Sequence, residues 1–210
     1  MSEEIQQDKT DRRQILMDTA ERLFAERGYE AVSVRELATE AGVNVAMVSY
    51  YFGSKEGLFE KIIEEKIPRT RYALEDLVHS GLSPWEKLSQ TIDIYVDKML
   101  STHTFSRVIM REMSLQQRPE FVIKITEQIR RNMEIIRGFI REGSEKGHFR
   151  YVDEELTLAT IFGTISTMVH STPLMCAMIK GSDEGVIFSE AHRSRLKTHL
   201  KAVLQAHLRP

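Results

Sequence analysis

Apolar residues recur every three or four positions along almost the whole chain, and nowhere do they alternate over the length of a strand. Ile15, Leu16, Thr19, Ala20, Leu23 and Phe24 form the first stripe. A helix is therefore expected from Asp11 to Arg27, capped by Thr10 and stopped by Gly28, behind a mobile tail over residues 1–9. The stretch from Ser33 to Phe52 reads as two short helices joined by a tight turn. Ser33 and Glu36 have the spacing of a reciprocal capping box, with Val32 and Leu37 as its hydrophobic staple. Leu37, Ala38 and Ala41 make one inner face, and the alanines allow close backbone approach at a steep crossing. Gly42 accepts the left-handed turn that ends the first helix, and Val43 plugs the core beneath it. Asn44 caps the second helix, Val45 to Phe52, whose Val48 and Phe52 point inward while Val45, Ala46, Met47, Ser49 and Tyr50 point out.

Beyond a break at Gly53, Ser54 caps a fourth helix with Leu58, Phe59, Ile62 and Ile63 inside, and Pro68 falls within this helix or ends it. The interruption at His79 to Leu82 is followed by Ser83-Pro84-Trp85-Glu86, a cap, a first-turn proline and a capping-box glutamate. Leu88, Ile92, Tyr95, Val96, Met99 and Leu100 then share a face, as do Phe105, Val108, Ile109 and Met113. Pro119 opens a long helix that ends around Gly143 to Gly147, and Asp153 caps another that is apolar on more than one side. After a polar loop over Lys180 to Gly185, a last helix begins near Ser189 with Leu196, Leu200, Val203, Leu204 and His207 on one side. The fold class is all-α. A three-helix helix-turn-helix domain over residues 10–70, with its motif at 33–52, precedes a helical bundle over 71–210.

Composition narrows the function classes. Of 210 residues, 41% are hydrophobic and 29% charged, which excludes a disordered chain. No apolar run is long enough to span a bilayer, the polar N-terminus lacks a signal-peptide core, and a cytoplasmic protein with no membrane contact is expected. The lone Cys176 has no disulfide partner and reads as a small core residue. No two of the seven histidines have i, i+3 or i, i+4 spacing, so neither a metal nor another cofactor is expected. With no nucleophile elbow, P-loop or dinucleotide fingerprint, an enzyme has no residues to act through. Charge complicates the motif: residues 1–66 hold nine Lys or Arg against fourteen Asp or Glu. Phosphate contact then depends on local cations at the helix starts, Lys9, Arg12, Arg13, Arg35 and Lys55.

Residues 10–70 resemble the N-terminal domain of TetR-type transcriptional regulators, through ILMDTAERLFAERGYEAVSVRELATEAGV and SYYFGSKEGLFEKII. The resemblance implies a homodimer whose two recognition helices enter successive major grooves of a palindromic double-stranded operator, roughly 34–36 Å apart. It places Ser33 and Arg35 at phosphates or bases, and Asn44, Val45, Ala46, Met47 and Ser49 in the groove. Tyr50 and Tyr51 are placed on the backbone, and Lys55 on a phosphate. The alternative for Tyr51 is a core aromatic, and for Arg35 and Lys55 solvated surface charges. Val45, Met47 and Ser49 depart from the family's usual lysine, threonine and tyrosine, so base reading is expected to use thymine methyl groups and DNA shape.

In the second half, Trp85, Tyr95, Met99, Phe105, Met110, Met113, Met133 and Phe162 suggest an adaptable pocket for an apolar or aromatic small-molecule effector, although each also suits an ordinary core. Arg107 and Arg111 share a face and suit either an anionic ligand or surface ion pairs. Phe162, Ile165 and Val169 with Leu196, Leu200 and Val203 offer two stripes for a four-helix dimer interface. The functional expectation is a ligand-released repressor, in which the effector shifts the fourth helix about a hinge near Ile67 to Arg71. A DNA-bound regulator whose second half recruits a protein partner is the alternative.

Overall fold

The computed structural model describes residues 2–101, 103–179, 181 and 183–210, with side chains from residue 11 onward. Eleven helices and no strand occur among the described residues. They are α1 (Ser2–Arg27), α2 (Val34–Glu40), α3 (Ala46–Phe52), α4 (Lys55–His79), α5 (Pro84–Ser101) and α6 (His103–Leu115). The remaining five are α7 (Pro119–Glu145), α8 (Glu154–His170), α9 (Thr172–Met178), α10 (Glu184–Ile187) and α11 (Glu190–Leu208). Three departures from the sequence reading are local. Helix α1 starts at Ser2, so residues 2–9, expected as a mobile tail, are helical and Thr10 lies inside the helix. Pro68 lies within α4, one of the two placements expected for it. Pro173 near the start of α9 opens an unexpected helical turn, and α10 begins inside the expected polar loop.

The chain forms two compact units. The first takes the chain up to Ile67 together with Thr104–Ile125, and the second takes Pro68–His103 and Thr126–Pro210. Residues 104–125, expected within the 71–210 bundle, thus associate with the helix-turn-helix.

Aromatic packing in the first unit explains that association. Phe121 of α7 is fully buried, its ring 4.9 Å from Phe59 and 5.7 Å from Tyr29, and Phe24 closes the group at 5.7 Å from Phe59. The inner stripe of α1 is Leu16, Met17, Ala20, Leu23 and Phe24; Ile15 is instead 46% exposed. Arg13–Glu65 and Lys66–Glu21 pairs tie α1 to α4.

In the second unit α5 packs against α8 and α11. Leu88, Ile92, Val96, Ile136, Ile140, Ile161, Ile165, Val169, Leu196, Leu200 and Leu204 belong to one buried cluster. Lys197 and Lys201 of α11 reach Asp97 and Asp93 of α5 at 2.6 and 2.7 Å, flanking that core with ion pairs. Cys176 is only half-buried.

Candidate nucleic-acid interface

The turn between α2 and α3 is fixed by its own side chains. The Glu36 amide donates to Ser33 Oγ (3.2 Å), and the Ser33 amide faces Glu36 Oε2 (3.5 Å), which completes the capping box. Val32 and Leu37, the staple pair, are both fully buried. Gly42 adopts φ +66°, and the Val43 amide donates back to the Ala38 carbonyl at 2.9 Å, so the helix ends where the glycine allows it. Asn44 Oδ1 accepts from the Ala46 amide at 2.9 Å, and α3 begins one residue later than expected. Leu37, Ala38 and Val48 carry the packing between α2 and α3. Ala41, Val43 and Phe52 are only half-buried and Gly42 is exposed, because the turn itself lies at the surface.

The outer face of α3 is presented to solvent. Val45 and Tyr50 are 45% and 67% exposed, Asn44, Ala46 and Ser49 are exposed, and Met47 is half-buried. Tyr51 is also half-buried, its ring 5.1 Å from Tyr50 in an edge-on arrangement. This face is uncharged and small except for Tyr50, which suits contact with groove walls and methyl groups. Ser33 and Arg35 are exposed at the start of α2, although the Ser33 hydroxyl is already used as a cap.

Two cations expected at phosphates are committed elsewhere. Lys55 donates to the Tyr29 and Val32 carbonyls at 3.0 Å each and sits 4.2 Å from the Tyr29 ring centre. Burial holds its ammonium below the usual lysine range, with Glu56 opposing. Arg13 pairs with Glu65 and lies over Phe52. The Lys9 side chain lies outside the described residues.

Sequence reasoning overlooked the far side of Tyr29. Arg118, only 11% exposed at the side chain, places its guanidinium 4.3 Å from that ring and binds Glu112 Oε2 at 2.5 and 3.0 Å and Glu30. Tyr29 is thus held between two cations at the corner connecting α1 to α2. Arg111, one candidate for an anionic ligand, instead crowds Gly28, where an added Cβ would stand 2.7 Å from its Cζ. Nothing in the local sequence around Arg118 announces its contacts with Tyr29 and Glu30, which lie some ninety positions away.

The structure also separates the expected pocket residues. Phe105, Met110 and Met113 lie in the first unit, whereas Trp85, Tyr95, Met99, Met133 and Phe162 lie in the second. In the second unit Tyr95 meets Phe162 edge-on at 4.5 Å, with Trp85, Met99 and Met133 at the margin of the same core. The Tyr95 hydroxyl is pushed up by burial, while the neighbouring Asn132 amide acts in the opposite direction. The sequence did carry a sign of Asn132. It interrupts the inward stripe of Ile125, Ile129, Ile136 and Ile140 at helical spacing.

The expected dimer stripes need correction. Ile165, Val169, Leu196 and Leu200 are at most 4% exposed within their own protomer, and Phe162 packs on Tyr95, so of that set only Val203, at 39%, is a surface residue. The outward sides of these helices are instead Leu156, Ala159, Thr160 and Gly163 on α8, and Thr198, His199, Ala202, Val203 and Ala206 on α11.

Comparison with known proteins agrees with this geometry. The family model for bacterial regulatory proteins of the tetR family matches residues 16–62, and that for the tetracyclin repressor-like C-terminal domain matches residues 81–170. The fatty acid metabolism regulator protein of Bacillus subtilis is 28% identical over 155 residues, covering 73% of this chain and 79% of the relative. The HTH-type transcriptional repressor KstR2 of Rhodococcus jostii is 28% identical over 149 residues, 70% of this chain and 73% of the relative. The crystal structure of FadR from Bacillus subtilis in complex with stearoyl-CoA superimposes with a TM-score of 0.71 at 24% identity, covering 93% of this chain and 98% of that one, which shows a shared fold. With both of its halves matched, the chain belongs to the TetR family of DNA-binding transcriptional regulators.

Proposed function

We propose that this protein is a repressor that binds a palindromic operator as a homodimer and is released by an effector carrying a long apolar acyl group. The observation that carries the DNA reading is the exposed, uncharged outer face of α3, held out by a completed capping box and a glycine turn. On it, Asn44, Val45, Ala46, Met47, Ser49 and Tyr50 enter the major groove, Tyr51 supports Tyr50, and Ser33 and Arg35 meet the flanking backbone. Lys55 acts indirectly, by fixing the corner that carries α2. A protein with this task works on DNA in the cytoplasm and needs no catalytic group.

The dimer reading rests on the outward stripes of α8 and α11. Leu156, Thr160 and Val203 line one shared cleft of about 340 Å³, so the stripes lie side by side, with Arg150 and Asp153 also lining that cleft. The effector reading rests on the methionine-flanked core around Tyr95 and Phe162, and on the acyl ligand held by the similar Bacillus subtilis structure.

Selection of bound duplexes from a random-sequence pool tests the proposal. Enrichment of an inverted repeat with half-sites about one helical turn apart, and release of that duplex by palmitoyl-CoA, is the expected result. Failure to enrich any repeat would overturn the DNA reading, and retention of the duplex at saturating palmitoyl-CoA the effector reading.

A further inference from the structure

In the second unit, α11 forms one wall of an open cleft of about 700 Å³, with Met168 of α8 and Ile179 just past α9 on the other side. This volume suits a small organic molecule. His192, Arg195 and His199 follow one another at i, i+3 and i+7 along that wall, so they share a helix face with Leu196. None of the described residues lining the cleft is acidic. Two of these side chains carry polar groups that the fold leaves unused. Arg195 is exposed and makes no ion pair or hydrogen bond among the described residues. The Nε2 of His192 is buried without a hydrogen-bonding partner, in a residue only 7% exposed. Native interiors rarely leave a polar atom unmet, so this one calls for a reason. Burial, and after it Arg195, lowers the imidazole below its ordinary value, so the ring is neutral at pH 7 and carries one N–H that donates without adding charge.

We propose that this cleft is a second small-molecule site, which takes a compact carboxylate with an apolar body. The Arg195 guanidinium pairs with the carboxylate, and after a small turn of the ring the His192 Nε2–H donates to its other oxygen. One guanidinium balances one negative charge, so a monoanion leaves the site neutral. Met168, Ile179 and Leu196 cover the apolar body, and methionine repacks readily around an inserted molecule. Neither Tyr95 nor Phe162 lines the cleft, so the site is separate from the core invoked for the acyl effector and does not rest on that reading. His199 and Ala202 also belong to the outward stripe of α11 proposed for the dimer, so the cleft borders that face, and a side chain of the second copy is the competing occupant.

The experiment uses the full chain, with 4-phenylbutanoate and its uncharged isostere 4-phenylbutanamide as probes. Calorimetric titration should show one carboxylate bound per chain, and the amide bound about tenfold more weakly. Arg195→Gln, at an exposed position, should fold as wild type does and bind the two probes alike. His192→Phe should weaken the carboxylate severalfold. Equal binding of the two probes by wild type would overturn the inference, and so would an Arg195→Gln protein that keeps the preference, because the carboxylate would then sit elsewhere. Absence of binding would overturn it as well. If Arg195→Gln also shifted the sedimenting species from dimer to monomer, the cleft would belong to the second copy.

Discussion

Replacing Arg118 by Met removes the guanidinium but keeps most of the aliphatic stem, so the loss is chiefly electrostatic. Glu112 is 3% exposed, and Arg118 meets its Oε2 at 2.5 and 3.0 Å. Burial pushes the Glu112 carboxyl up and Arg111 opposes this, so without Arg118 the group must stay charged in a dry site or take up a proton. Breaking a buried pair from one side costs roughly 3–5 kcal/mol. Protonation of Glu112 softens that cost, the lost stacking on Tyr29 adds about 0.5–1 kcal/mol, and exposed Glu30 adds little. A net loss of about 3 kcal/mol is expected, or roughly 6–12 °C in melting temperature for a chain of this size. Urea unfolding followed by circular dichroism measures it. The double variant Arg118→Met, Glu112→Leu should regain most of the loss, since it leaves no buried charge. A single variant within 1 kcal/mol of wild type, or a double variant no better than the single, would refute the reasoning.

Lys55→Met should lower stability by about 2 kcal/mol through two lost charge-assisted bonds, yet leave the salt dependence of DNA affinity unchanged, whereas Arg35→Ala should reduce the slope of log K against log salt by about 0.9. Anisotropy titrations at several salt concentrations separate the two. Leu156→Asp, at a 66% exposed position, should give a folded monomer by sedimentation, while Leu200→Asp, at 2%, should unfold the protomer. His192 is buried, and desolvation, followed by Arg195, lowers its imidazole below the ordinary value. The stability it contributes is therefore full above about pH 6.5 and is lost as pH falls from there through the lowered folded value. The drop in urea midpoint between pH 7.5 and 5.5 should shrink in His192→Gln; an unchanged drop would show that other groups cause it.

Local chemistry was legible in the sequence where cause and effect lie a few residues apart. Ser33 with Glu36, Gly42 and Asn44 act on their own helix ends, and all occupy their expected conformations or bonds. What the sequence concealed is tertiary. Period alone cannot choose between Ile15 and Met17 at the edge of a stripe, and the packing chose Met17. An apolar stripe looks the same whether its own chain or a second chain covers it, which is why Leu196 and Leu200 were read as interface. Chain order gave no hint that Phe121 would complete an aromatic group begun by Phe24. Lys55 was read as a phosphate contact because its carbonyl partners, Tyr29 and Val32, lie more than twenty residues away.

The outer face of α3 remains the centre of the account, and Val45→Glu tests it most directly. The side chain is 45% exposed and belongs to no buried cluster, so a carboxylate there should leave the urea midpoint unchanged. Anisotropy titration of the selected inverted repeat should then show affinity falling at least a hundredfold, because the new charge would face the phosphates and base edges of the groove. A folded Val45→Glu protein that binds the repeat as tightly as wild type would contradict the claim that this helix reads the DNA.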